Sequence, residues 1–118
     1  MEALFASGKT LNAFPIKVFY TLEPIAQNIA ANSVHAGVGV SARIFKKAVD
    51  RNRIKRLLRE VYRTQKQTLI ETVHAESRSL NVFFLYVGKE LPEYIELKIA
   101  MEKTLEKLIG RISESIKQ

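Results

Sequence analysis

Lys46-Lys47-Ala48-Val49-Asp50-Arg51-Asn52-Arg53-Ile54-Lys55-Arg56-Leu57-Leu58-Arg59-Glu60-Val61-Tyr62-Arg63 carries two periodic signals at once. At about 100° per residue, Ile54, Leu57, Leu58, Val61 and Tyr62 fall on one stripe of a helix, and Asn52, Lys55, Arg56, Arg59 and Arg63 on the opposite one. The apolar stripe can be buried against a sheet. The other stripe is a stiff row of cations over several turns, which suits a phosphate backbone better than a small ligand. The spacing predicts a helix that enters at Ala48 to Asp50 and continues to about Ile70.

Charge is concentrated in this element. From Arg43 to Lys66, ten basic residues (Arg43, Lys46, Lys47, Arg51, Arg53, Lys55, Arg56, Arg59, Arg63, Lys66) stand against Asp50 and Glu60, a balance of +8, while the whole chain carries only +7. The rest of the chain is therefore close to neutral, so the basicity is not a general solubility device. Lys55/Arg59 and Arg59/Arg63 are like-charged pairs four apart, each repelling by a few tenths of a kcal/mol. A face that is merely solvated more often alternates its signs. The pattern implies a polyanionic partner.

A chain of 118 residues is read as one domain, 1–118, with room for a single core. Its 47% hydrophobic content, with Phe and Tyr present, argues against disorder. The absence of cysteine excludes disulfides and thiolate metal sites. The longest apolar run, near Val82 to Val87, is far shorter than a bilayer span, and the first residues lack a signal pattern. A soluble, cytoplasmic protein with no membrane partner is expected.

Around the basic helix the chain reads as a short α/β unit. Met1 to Ser7, closed by Gly8, predicts the end of a short helix. Thr10 to Phe14 leads into a strand at Pro15 to Leu22, where Ile16, Val18, Tyr20 and Leu22 alternate with Lys17, Phe19 and Thr21. Val34 to Val40 predicts a second strand, whose two glycines imply a bulge or a close approach. Glu71 to Arg78 reads as a polar connection, and Leu80 to Val87 as a central strand covered on both faces. Pro92 suits the first turn of a last helix with Tyr94, Leu97, Met101, Leu105, Leu108, Ile112 and Ile116 on one stripe, and Gly110 is placed to bend or end it.

The chain offers no catalytic constellation. His35 falls in a strand and His74 in a polar segment, neither at metal-site spacing, and Ser41 lacks a base and an orienting group. Gly37 and Gly39 do not make a phosphate-binding loop. Glu93, Glu96, Glu102 and Glu106 share their helix with Lys98, Lys103 and Lys107 and read as a solvated face. No catalytic or metal-ligating residue is assigned.

Lys47 to Glu60, built around Arg51-Asn52-Arg53, resembles the signature of the bacterial ribonuclease P protein component, in which this core opens a basic helix after a short strand. The similarity covers nearly the whole chain: Phe5 and Gly8 resemble the end of the family's first helix, Val18 to Leu22 its first strand and Gly37 to Ser41 its second. The resemblance implies an α+β fold, a small two-layer α/β sandwich in the order α-β-β-(β)-α-β-α, with a left-handed strand-helix-strand crossover. It also implies the accessory subunit of a ribonucleoprotein that removes the 5′ leader of precursor tRNA. The RNA subunit and its magnesium ions perform the hydrolysis, so the partners implied are the catalytic RNA and precursor tRNA, with no obligate protein partner.

Carried onto this chain, the resemblance assigns RNA contacts to Arg51, Asn52, Arg53, Lys55, Arg56 and Arg59, with Arg43, Lys46, Lys47 and Arg63 extending the patch. Arginine forks take two phosphate oxygens and stack on bases, and Asn52 can both donate and accept. Phe5 and Tyr20 are the implied leader-stacking surfaces, and stacking tolerates any base. Three departures touch the leader side more than the helix. The chain starts at Met1, where the family carries more of its first helix; Ala42-Arg43 stands where paired lysines are usual; and Ile44-Phe45-Lys46 is one residue longer than the common linker. The alternatives are a ribosomal or other structural RNA-binding protein, and a regulator that dimerises through Tyr94 to Ile116 and binds duplex DNA.

Overall fold

The structure, a computed structural model, describes residues 9–24, 34–75 and 78–117. The elements are β1 (Lys9–Ala13), β2 (Ile16–Pro24), β3 (Val34–Val40), α1 (Ala48–Gln65), α2 (Gln67–Ala75), β4 (Arg78–Tyr86) and α3 (Tyr94–Lys117). The strands form one mixed sheet in the order β1-β2-β4-β3. β1 and β2 are antiparallel with Leu11 opposite Val18, β2 and β4 antiparallel with Val18 opposite Phe84, and β3 and β4 parallel with Val38 opposite Phe84. A parallel pair cannot be joined by a tight turn, so α1 and α2 together form the crossover from β3 to β4.

The apolar run of β4 earns its interior place. Leu80, Val82, Phe84 and Tyr86 are buried on one face, while Asn81, Phe83 and Leu85 are half-buried on the other. From β2, Ile16, Val18 and Tyr20 join the same core. α1 contributes Ile54, Leu58 and Val61, all fully buried, and side chains of this kind each contribute about 1.5–3 kcal/mol when removed from water. α3 closes the layer with Leu97, Met101, Leu105, Leu108 and Ile112. The result is the small two-layer α+β sandwich expected from the sequence.

Several boundaries differ from the sequence reading. Lys9–Ala13 is a strand and not only a lead-in, because Leu11 and Ala13 alternate into the core and its backbone pairs along β2. The basic helix stops at Gln65, and a separate α2 replaces the expected polar connection as far as Ala75. On a straight helix Leu69 and Val73 would lie roughly 60° and 100° away from Ile54. Both are nonetheless fully buried, so the axis turns near Lys66, where the bond from the Ile70 amide to the Lys66 carbonyl (3.0 Å) restarts the helix.

The β3–β4 ladder runs unbroken, so its glycines make no bulge; a Cβ at Gly39 would instead collide with the Phe83 ring. α3 begins at Tyr94, two residues beyond Pro92, with the Leu97 amide bonded to the Glu93 carbonyl at 3.1 Å. Tyr94 is 41% exposed and lies off the buried stripe. Gly110 does not end the helix: α3 continues to Lys117, and a Cβ at Gly110 would meet nothing within 4 Å. Met1 to Ser7, read as a short helix, lies outside the described residues.

Candidate nucleic-acid interface

The candidate interface is the solvent side of α1 and the linker Ser41 to Lys47 that feeds it. Burial of Ile54, Leu58 and Val61 fixes the rotation of α1 about its axis. Tyr62 strengthens that hold, its ring 5.3 Å from that of Phe84 at a 44° tilt. The opposite stripe then has to face outward. Asn52, Arg53, Arg56, Arg59 and Arg63 are exposed, and Lys55 is partly so.

The linker is fixed from its middle. Phe45 is buried with its ring 6.0 Å from that of Tyr86, and its amide is bonded to the Ser41 carbonyl at 3.0 Å. That anchor leaves Arg43, Lys46 and Lys47 exposed beside the first turn of α1. Lys47 occupies the N-cap position in an extended conformation with no side-chain cap. Cations normally disfavour a helix N-terminus, and Asp50 in the first turn is the only acidic residue there to offset them.

Two of the ten assigned cations and polar groups are already engaged. Arg51 is partly buried, and its Nη1 donates to the carbonyls of Phe45 (2.7 Å) and Lys46 (2.9 Å). Arg63 donates from Nη2 and Nε to the Glu60 carboxylate at 2.7 and 3.3 Å. That contact holds the Glu60 carboxyl below its ordinary range and raises the Arg63 guanidinium. Among the described residues, no carboxylate is found within ion-pair distance of Arg43, Lys46, Lys47, Arg53, Lys55, Arg56 or Arg59. The row therefore presents an accessible positive surface, the arrangement a polyanion requires.

The leader-stacking residues fare differently. Phe5 lies outside the described residues. Tyr20 is 4% exposed and belongs to the hydrophobic core, so its ring does not offer a stacking surface; strand alternation turns it inward with Ile16 and Val18. The same alternation puts Lys17 and Phe19 on the other face of β2, half-buried, with Lys17 Nζ 5.3 Å from the Phe19 ring centroid. Phe83 of β4 is the direct partner of Phe19 across the ladder. The sequence signal for this pair was an aromatic on the polar face of a strand. His35 and His74 are exposed, and among the described residues no three His, Cys, Asp or Glu side chains are grouped to hold a metal ion.

Comparison with known proteins agrees with the geometry. The sequence profile of a family described as Ribonuclease P matches residues 2–109. A ribonuclease P protein component of Porphyromonas gingivalis is 33% identical over 115 residues, covering 98% of this chain and 82% of that protein. One from Chlorobium phaeobacteroides is 33% identical over 122 residues, covering 97% and 82%. Among solved structures, the Staphylococcus aureus RNase P protein superposes with a TM-score of 0.66 at 17% identity, over 91% of this chain and 86% of that one. The RNase P protein of Thermotoga maritima gives 0.65 at 18% identity, over 90% and 88%.

Proposed function

This chain belongs to the ribonuclease P protein family, and from that premise we propose that it is the protein subunit of a bacterial ribonuclease P. In this reading it binds the catalytic RNA and the 5′ leader of precursor tRNA, and assists magnesium-dependent endonucleolytic removal of that leader. The observation that carries the reading is the open cationic row of α1 and its linker. Arg43, Lys46, Lys47, Asn52, Arg53, Lys55, Arg56 and Arg59 are the proposed direct RNA contacts, with Arg63 available once it leaves Glu60.

The protein supplies placement and charge, and the RNA subunit supplies the reacting center. In this reading the magnesium ions that activate water are held mainly by the RNA subunit. What this chain can do is lower the electrostatic cost of bringing two polyanions together, because each phosphate neutralised releases condensed counterions. For the leader we propose the face of β2 that carries Lys17 and Phe19, where a ring and a cation lie side by side. The 118 residues act in this reading as one RNA-binding domain in the cytoplasm. Among the described residues, no helix is long and apolar enough to cross a membrane.

Reconstitution tests this. Added to a bacterial ribonuclease P RNA with precursor tRNA at low magnesium, the protein is expected to stimulate 5′ cleavage. RNA binding without stimulation would instead mark a structural RNA-binding protein.

A further inference from the structure

Resting on the RNA-binding reading above, we propose that Arg51 is a positioning residue: its guanidinium clamps the Ser41–Lys47 linker so that Arg43, Lys46 and Lys47 meet RNA in one fixed array. Three observations support this role over that of a phosphate contact. A single nitrogen, Nη1, donates to two consecutive carbonyls, Phe45 at 2.7 Å and Lys46 at 2.9 Å. Arg51 is partly buried, whereas its signature neighbours Asn52 and Arg53 are exposed. The N-cap residue Lys47 makes no side-chain cap, so the helix entry lacks the usual side-chain tie at that position.

The chemistry favours arginine here. The Phe45 and Lys46 carbonyls precede the helix, and a charge-assisted bond from a guanidinium to each is stronger than a neutral one. Nη1 carries two N–H donors fixed in the guanidinium plane, a preorganisation that a freely rotating lysine ammonium lacks. Phe45 pins the linker from the core side through its ring, and Arg51 pins it from the helix side. Between those two pins, three like charges that would otherwise spread apart stay together before RNA arrives. Preorganisation of this kind lowers the ordering cost of binding.

A double-mutant cycle in the full chain, read as affinity for a bacterial ribonuclease P RNA, tests the clamp. Arg51→Ala is expected to weaken binding about fivefold to tenfold in the native chain, but less than about twofold when Arg43, Lys46 and Lys47 are already alanine, a coupling within the usual range for interacting residues. In the free protein, Arg51→Ala should also speed hydrogen exchange of the Phe45 amide, which is bonded to Ser41. Should the alanine variant fail to fold, Arg51→Lys carries the same cycle: the clamp predicts a loss that shrinks when Arg43, Lys46 and Lys47 are alanine, a direct phosphate contact a loss equal in both backgrounds. Equal losses in both backgrounds, or unchanged Phe45 exchange, overturn the clamp. Undiminished binding by Arg53→Ala overturns the RNA-binding reading on which it rests.

Discussion

Arg63 and Glu60 are joined one turn apart on α1 by two bonds, Nη2 to Oε1 at 2.7 Å and Nε to Oε2 at 3.3 Å. The last cation of the row is thereby held by a carboxylate of its own helix. Both side chains are largely in solvent, so the pair does little for stability but masks charge at the RNA-facing surface. Glu60→Gln should tighten RNA-subunit binding and steepen the log–log salt dependence by about 0.7 to 0.9, the increment for one further phosphate contact. A salt series of filter-binding or fluorescence affinities checks it; an unchanged slope would mean that Arg63 stays off the RNA.

Arg53, exposed and without a carboxylate partner among the described residues, is expected to behave in the opposite way. Arg53→Ala should weaken binding to the RNA subunit and flatten the same slope by about 0.7 to 0.9. Thermal stability should change by less than about 0.5 kcal/mol, as for most surface substitutions. A large loss of stability would move Arg53 from the interface to the fold.

Tyr20→Ala and Phe19→Ala separate the two faces of β2. Tyr20 is in the core, and truncating a large buried ring costs about 3–5 kcal/mol. Its loss should lower affinity for precursor and mature tRNA alike, through unfolding. Phe19→Ala should lower affinity for precursor over mature tRNA by about 1 kcal/mol, at the low end for a lost base stack. Equal effects of Phe19→Ala on both substrates would remove the leader from this face.

Tyr62 carries a pH signature. Its burial raises the hydroxyl above the ordinary tyrosine range near 10. A raised folded-state value means that the folded protein holds the proton more tightly than the unfolded chain. The associated stability is fully present below pH about 10 and is lost as pH rises through the higher folded value. Tyr86 is shifted the same way by burial and by Glu96 and Glu90, so it contributes over a similar range. Denaturant melts between pH 8 and 11 should show Tyr62→Phe losing less stability than the native protein at the alkaline end; parallel curves would refute the burial argument.

Gly39→Ala tests the sheet's close contact. The added Cβ would push into the Phe83 ring, an overpacking that typically costs 1–3 kcal/mol, about the cost of a small core error. A stability equal to that of the native protein would show that the ring can step aside.

What the sequence determined by itself was local and periodic. The two stripes of α1, the bounds of β3, the apolar run of β4 and the concentration of charge between Arg43 and Lys66 all follow from spacing along one short segment. The family signature lies in that same segment, which is why function was legible early. The tertiary structure decided everything that depends on residues distant in the chain. The pairing of β1, the order of the sheet and the turn of the helix at Lys66 were settled by which apolar groups could reach a common core. The burial of Tyr20, opposite to its expected role, came from the same competition. Nor does a row of arginines reveal which of its members are free: Arg51 and Arg63 bond to groups whose positions only the folded backbone fixes, and that geometry separates cations that can meet RNA from those that shape the surface it meets.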